Sequence, residues 1–149
     1  MTETPAFLEI ASRSAAELAE RYIAVWNEPD ADRRRRMIAA LWAQDGRHIL
    51  QPPQEIRAIA AQPGLAMTAI LMARGHEEIE ARVAGAHAHW IGSEGLSFRG
   101  RDDADRLGDV VKLHWEAVAK DGAVLAVGLS FLVLTAEGRI ERDYTFIVG

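Results

Sequence analysis

Apolar positions recur at helical spacing through the first two thirds of the chain and at strand spacing through the last third. Residues 110–119, 123–135 and 139–148 read as three consecutive strands, separated by Lys120-Asp121-Gly122 and Ala136-Glu137-Gly138. Asp-Gly and Glu-Gly between apolar, β-branched runs are hairpin signals, because glycine supplies the positive φ of a tight turn. Upstream, Ser14 with Glu17 three residues on forms a capping box, and Ala15, Leu18, Tyr22, Val25 and Trp26 give the helix it opens one apolar face. Asn27-Glu-Pro-Asp30 ends that helix. Asp30 or Asp32 caps a second, running to about residue 43, with Met37, Ile38, Leu41 and Trp42 as its stripe. Residues 47–50 read as a strand stopped by Pro52-Pro53, and 54–61 as a short helix. The stretch 65–73 has no clean period. A third helix opens at Gly75, where Ile79, Val83, Ala86 and Trp90 step by four, three and four. Residues 96–101 read as a further strand, and 101–108 as a charged hairpin tip.

Helices grouped early and a meander late predict an α+β fold. The expected form is a single domain over 1–149, with 1–13 as a short lead. Three N-terminal helices pack on a strongly curved antiparallel sheet, and the cone so formed has an internal pocket.

Charge and composition narrow the partners. The 149 residues carry a net charge of -5, with 49% apolar and 26% charged residues. That balance speaks against nucleic acid and against an anionic membrane, both of which need a basic field. The basic run 33–36 reads as a solvated helix face paired with Asp30 and Asp32. There is no cysteine, so thiolate chemistry and disulfides are excluded. No leader pattern and no bilayer-length apolar run stand in the sequence, and the expected location is cytoplasmic. His87 and His89 point to different sides of one helix, and His48, His76 and His114 fall on separate elements. No metal site is expected.

The order and spacing of several segments resemble the nuclear transport factor 2-like superfamily, whose members are also called SnoaL-like or cystatin-like α+β cones. The segments are Arg21-Tyr22-Ile-Ala-Val-Trp-Asn27, residues 30–42 followed by Asp45-Gly46, Gly75-His76-Glu-Glu-Ile79, residues 111–116, Gly128-Leu-Ser-Phe131 and Gly138-Arg-Ile-Glu-Arg-Asp-Tyr144. The resemblance covers nearly the whole chain. It implies a ligand pocket inside the cone and a homodimer through the open sheet face, and no cofactor is expected. It implies no single activity, since such cones serve as isomerases, cyclases, hydrolases, dehydratases and binding modules.

The chemistries of that superfamily fit unequally. Tyr22 matches the oxyanion tyrosine of ketosteroid isomerases, and Ser130 falls where their second donor stands. Their base falls at Leu50 or Gln51, and neither can take a proton. Asp143 resembles one aspartate of limonene-type epoxide hydrolases, but the Arg-x-Asp partner motif is missing from residues 110–119, which offer Leu113 or His114-Trp115-Glu116. As in SnoaL-type cyclases, Asp143 alone is then the acid/base candidate, with Tyr22 and Ser130 as donors to a substrate oxygen. The bland alternative pairs Asp143 with Arg139, Arg142 or Arg99. Alternation puts Glu141 on the same face as Asp143. Trp26, His48, Trp90 and Trp115 are candidate pocket linings for a small apolar molecule. Two readings stay open: an enzyme working through Asp143, and a non-catalytic ligand-binding or accessory module. A buried, arginine-free Asp143 near Tyr22 favours the first, and a surface ion pair favours the second. A weaker third role, protein interaction through an apolar sheet face, also stands.

Overall fold

The computed structural model describes residues 14–64 and 70–149. The expected lead 1–13 and most of the aperiodic stretch 65–73 lie outside the described residues. Helix α1 spans Ala15–Asn27 and α2 Ala31–Leu41; strand β1 follows at Trp42–Leu50. Then come α3 (Gln54–Ala60), β2 (Leu71–Arg74) and α4 (Gly75–Ala86), which continues as a π-helical segment, His87–Ser93. Strands β3 (Ser97–Gly100), β4 (Asp105–Leu107), β5 (Val110–Val118), β6 (Val124–Leu134) and β7 (Ile140–Ile147) complete the fold.

Local chemistry sets the boundaries. Ser14 Oγ accepts from the Glu17 amide and Asp30 Oδ2 from the Arg33 amide, so both leading helices begin on side-chain caps. The meander turns carry their glycines at φ 91° (Gly122) and 83° (Gly138), as the hairpin reading requires.

The strands form one seven-stranded curved sheet in the order β2-β1-β7-β6-β5-β3, with β4 also paired to β5. Its pairings are antiparallel with one exception, β1 beside β7, which is parallel. The sheet is therefore mixed rather than wholly antiparallel, because the second helix returns the chain alongside its last strand. Helices α1, α2 and α4 pack their apolar stripes on the sheet. The core between the layers holds Tyr22, Val25, Ile38, Leu41, Trp42, Ile79 and Val83 against Val111, Leu113, Leu132, Leu134 and Ile140. Among the described residues, no helix is long and apolar enough to cross a membrane.

Several expectations need correction. Trp42 does not close the second helix; it opens β1 and is fully buried. The tip expected at 101–108 contains a short strand, β4. Arg34 is not part of a solvated basic face. It is 5% exposed, donates to both carboxylate oxygens of Glu80 and reaches the Glu28 carbonyl. Trp90 is 43% exposed. The wider π-helical turn beginning at His87 breaks the four-three-four stepping and carries Trp90 off the buried stripe.

Candidate functional site

Two rungs of the sheet assemble a buried polar group. On the first, His48 of β1 lies opposite Asp143 of β7, which lies opposite Leu132 of β6. On the next, Leu50, Thr145, Ser130 and Leu113 line up across β1, β7, β6 and β5. Inward-facing His48, Asp143, Thr145 and Ser130 thus stand side by side, and Tyr22 comes down on them from α1.

A β-bulge puts Asp143 inside. Ile140 pairs with Leu134 and Arg142 with Val133, which leaves Glu141 as an extra residue. Strict alternation from the buried Ile140 would turn residue 142 inward. The bulge reverses the phase, so Arg142 and Glu141 are exposed and Asp143 is fully buried. The expectation that Glu141 shares the Asp143 face fails for this reason.

Among the described residues, no arginine contacts the carboxyl. Arg139 donates to the Ala39 carbonyl, Arg142 to the Tyr144 hydroxyl and Arg99 to Glu116. Instead, the Tyr22 hydroxyl donates to Asp143 Oδ2 at 2.5 Å and the Thr145 hydroxyl to Oδ1 at 2.6 Å. Ser130 Oγ lies 2.8 Å from Thr145 Oγ1 and 3.2 Å from the Tyr22 hydroxyl, and accepts from Trp115 Nε1 at 3.1 Å. An indole N–H can only donate and a carboxylate can only accept. The hydroxyl protons therefore run one way, from Trp115 through Ser130 to Thr145 and on to Asp143.

A second one-way chain arrives from the other side. The guanidinium of Arg82 on α4 donates to His48 Nδ1 at 3.0 Å. Arginine has no acceptor, so Nδ1 is bare and the proton sits on Nε2, 3.6 Å from Asp143 Oδ2. Arg82 also donates to the His48 and Leu71 carbonyls.

Burial and these donors oppose each other at Asp143. Loss of water drives its carboxyl up to about 7, against the lowering effect of the Thr145 and Tyr22 hydrogen bonds and of the Arg82 charge. Burial, aided by the Arg82 charge, takes the His48 imidazole down to about 3. His48 is thus neutral, and its approach to Asp143 is not an ion pair. Burial and the Asp143 charge hold Tyr22 well above the ordinary tyrosine value, so it acts as a donor and not as a phenolate.

The site's aromatic wall is half-buried. Trp26 lies 5.1 Å from the His48 ring and 6.4 Å from both Tyr22 and Phe98, and Phe98 lies 5.7 Å from Trp115. The Trp115 ring covers Gly128, where a Cβ would come within 2.0 Å of it. Of the residues expected from sequence, Tyr22, Trp26, His48, Trp115, Ser130 and Asp143 come together, and Trp90 stays outside. Thr145, Arg82 and Phe98 were missed. Thr145 was open to discovery, since it shares alternation with Asp143 on one strand. Arg82 was not, since only the pairing of β1 with β2 and α4 brings it to His48.

The centre itself is closed. Asp143 and Ser130 are 0% exposed and Tyr22 and His48 2%. Among the described residues, no buried side-chain nitrogen or oxygen lacks a partner, and no three His, Asp or Glu side chains cluster to hold a metal ion. Two cavities open elsewhere. One of about 270 Å³ lies between α1 and the β6–β7 turn, and one of about 290 Å³ lies between α1 and the β3–β5 edge.

No family model matches the chain, and no curated protein does. Solved structures do. A suggested isomerase of the SnoaL-like family from Agrobacterium tumefaciens is 25% identical over 98% of this chain and 100% of that one, with a TM-score of 0.69. A SnoaL-like protein of unknown function from Burkholderia thailandensis is 21% identical over 98% of each chain, with a TM-score of 0.59. A protein with a ketosteroid isomerase-like fold from Catenulispora acidiphila, solved with trimethylamine, is 18% identical over 87% of this chain and 83% of that one, at 0.56. In its architecture, this chain has the α+β cone fold of the nuclear transport factor 2-like superfamily, similar to these SnoaL-like and ketosteroid isomerase-like structures.

Proposed function

We propose that the chain is a small-molecule enzyme of the isomerase, cyclase or hydrolase kind, in which Asp143 moves a proton. Tyr22 and Ser130 become its donors to a substrate oxygen when the substrate opens the centre and replaces their bonds to Asp143 and Thr145, and Trp26, His48 and Trp115 flank the place where an apolar substrate would enter. The observation that carries this reading is the buried Asp143 carboxyl, held by hydroxyl groups, with no arginine among the described residues in contact, and poised near neutrality. A carboxyl in that range suits general acid–base work at physiological pH. The half-buried aromatic wall favours a flat, apolar ligand.

The test is a titration of the Asp143 carboxyl carbon by NMR, assigned with Asp143→Asn, followed by a screen of small carbonyl and epoxide compounds. The expected result is a pKa near 7 and a turnover that the Asn variant loses. A pKa at or below the ordinary aspartate value of about 3.9 would end the acid–base role.

A second reading, a non-catalytic binding module, draws on the closure of the same cluster, where no fully buried side-chain nitrogen or oxygen among the described residues lacks a partner. It predicts ligand binding at the Trp26–Phe98–Trp115 wall that Asp143→Asn leaves unchanged. The outer sheet face carries Leu125 and Phe146, 60% and 41% exposed, with Phe131 packed against Phe146. An apolar face of that kind suits a homodimer. Sedimentation of wild type against Leu125→Glu tests it, with loss of a dimer expected.

A further inference from the structure

We infer that Arg82 is a positioning residue for the buried acid/base group: its guanidinium holds the His48 ring with Nδ1 as acceptor and Nε2–H turned to Asp143, and so bars His48 from taking the Asp143 proton. The role rests on reading Asp143 as the acid/base group. The geometry that carries it involves three elements. One Arg82 nitrogen, Nη1, reaches His48 Nδ1 at 3.0 Å, the His48 carbonyl at 3.0 Å and the Leu71 carbonyl at 3.2 Å. Its two hydrogens are shared among these three acceptors, and so it ties the histidine ring to the backbone of β1 and of β2.

The chemistry follows from what arginine cannot do. It has no lone pair to offer, so a His48 ring bonded to it must present a bare Nδ1. To become an imidazolium, His48 would have to place a second N–H against a fixed positive charge. The titratable and charged groups facing His48 are Asp143 from β7, Arg82 from α4 and, through Asp143, Tyr22 from α1; the Trp26 and Trp42 rings pack against it, and β2 places Ala73 opposite it. Glu78 lies close enough to Arg82 to stabilise its charge. Without Arg82, a histidine 3.6 Å from a buried carboxyl would be free to accept its proton. The two would then form an imidazolium–carboxylate pair, and Asp143 would be locked ionised. Arg82 removes that outcome by tautomer and by charge, its charge adding to burial in lowering the His48 value.

Long-range proton–nitrogen NMR of the histidine rings tests the inference without a substrate. In the wild-type protein, His48 should show the Nε2–H tautomer and no titration between about pH 5 and 8. In Arg82→Met, checked as folded by its amide spectrum, the His48 value should rise from about 3, because burial still lowers it but the Arg82 charge no longer adds to that effect. The ring should then titrate together with the Asp143 carboxyl. Arg82→Lys, which keeps the charge, should leave His48 neutral. A wild-type His48 protonated on Nδ1, or a folded Arg82→Met in which the His48 value stays at its wild-type position, overturns the proposal. These signals do not depend on turnover, so a failed Arg82 role leaves the Asp143 reading standing, and an inactive Asp143 leaves the tautomer result intact.

Discussion

The Tyr22 hydroxyl donates to Asp143 Oδ2 at 2.5 Å, joining the first described helix to the last strand beneath fully buried surroundings. This bond lowers the Asp143 pKa, so its removal must raise it. Tyr22→Phe is expected to move the carboxyl above its value of about 7. It should also destabilise the fold by about 1–3 kcal/mol, the usual cost of stripping a donor from a buried charged group. The loss should be larger at pH 8 than at pH 5, because the ionised carboxyl needs the phenol's proton more than the acid does. Denaturant unfolding at the two pH values, with the carboxyl-carbon titration beside it, checks both parts. An unchanged titration would show that the bond is not made in solution.

His48 and Asp143 pull the pH dependence of stability in opposite directions. The folded Asp143 value of about 7 is raised above its ordinary 3.8, so its contribution is present at low pH and is lost as pH rises through 7. The folded His48 value of about 3 is depressed below its ordinary 6.5, so its contribution is present above 6.5 and is lost as pH falls through 3. Each slope is at most about 1.4 kcal/mol per pH unit. Across the shared window, roughly pH 4 to 6.5, the two cancel and wild-type stability should be nearly flat. Asp143→Asn should unmask a stability that rises with pH there, and His48→Gln one that falls. Parallel curves for the two variants would refute the assignment.

Local signals made the meander legible. The turns at Gly122 and Gly138 fall where the Asp-Gly and Glu-Gly pairs place them, and Ser14 and Asp30 cap the helices they precede. Tyr22, Ser130 and Asp143 were each readable as inward candidates, and they meet. What stayed illegible depends on contacts distant in sequence or on a broken period. The parallel pairing of β1 with β7 joins Trp42 to Ile140 and has no local signature. The bulge at Glu141 changes the phase that alternation assumes, and the π-helical turn does the same for Trp90. Arg82 and Arg34 look like surface cations in the sequence. Only the fold shows the acceptors that each one meets.

The Trp115 ring rests on Gly128 and aims its N–H at Ser130, so the site depends on a missing Cβ. Gly128→Ala places a methyl 2.0 Å from the indole, and the ring must swing away and give up its hydrogen bond. Overpacking of this kind costs about 1–3 kcal/mol. A smaller ring relieves the clash, so Gly128→Ala with Trp115→Phe should be less destabilised than the sum of the single variants. Strict additivity would mean that the ring does not lie over Gly128.

Arg34 tests the reading of the second helix. Its side chain is 6% exposed, and that of its partner Glu80 12%. Breaking a buried pair strands the remaining charge, so Arg34→Met should cost about 3 kcal/mol or more. Arg36 is exposed on the same helix, and Arg36→Met should stay within about 0.5 kcal/mol of wild type. The same physics makes a sharper claim. If the loss in Arg34→Met comes from a stranded Glu80, then adding Glu80→Met should recover much of it, because two apolar side chains in place of a buried pair are often neutral. The Glu28 carbonyl, which also accepts from Arg34, sets the limit on that recovery. Chemical denaturation of the two single variants and the double variant measures the coupling. Costs that simply add would place Arg34 back among the solvated arginines of its helix.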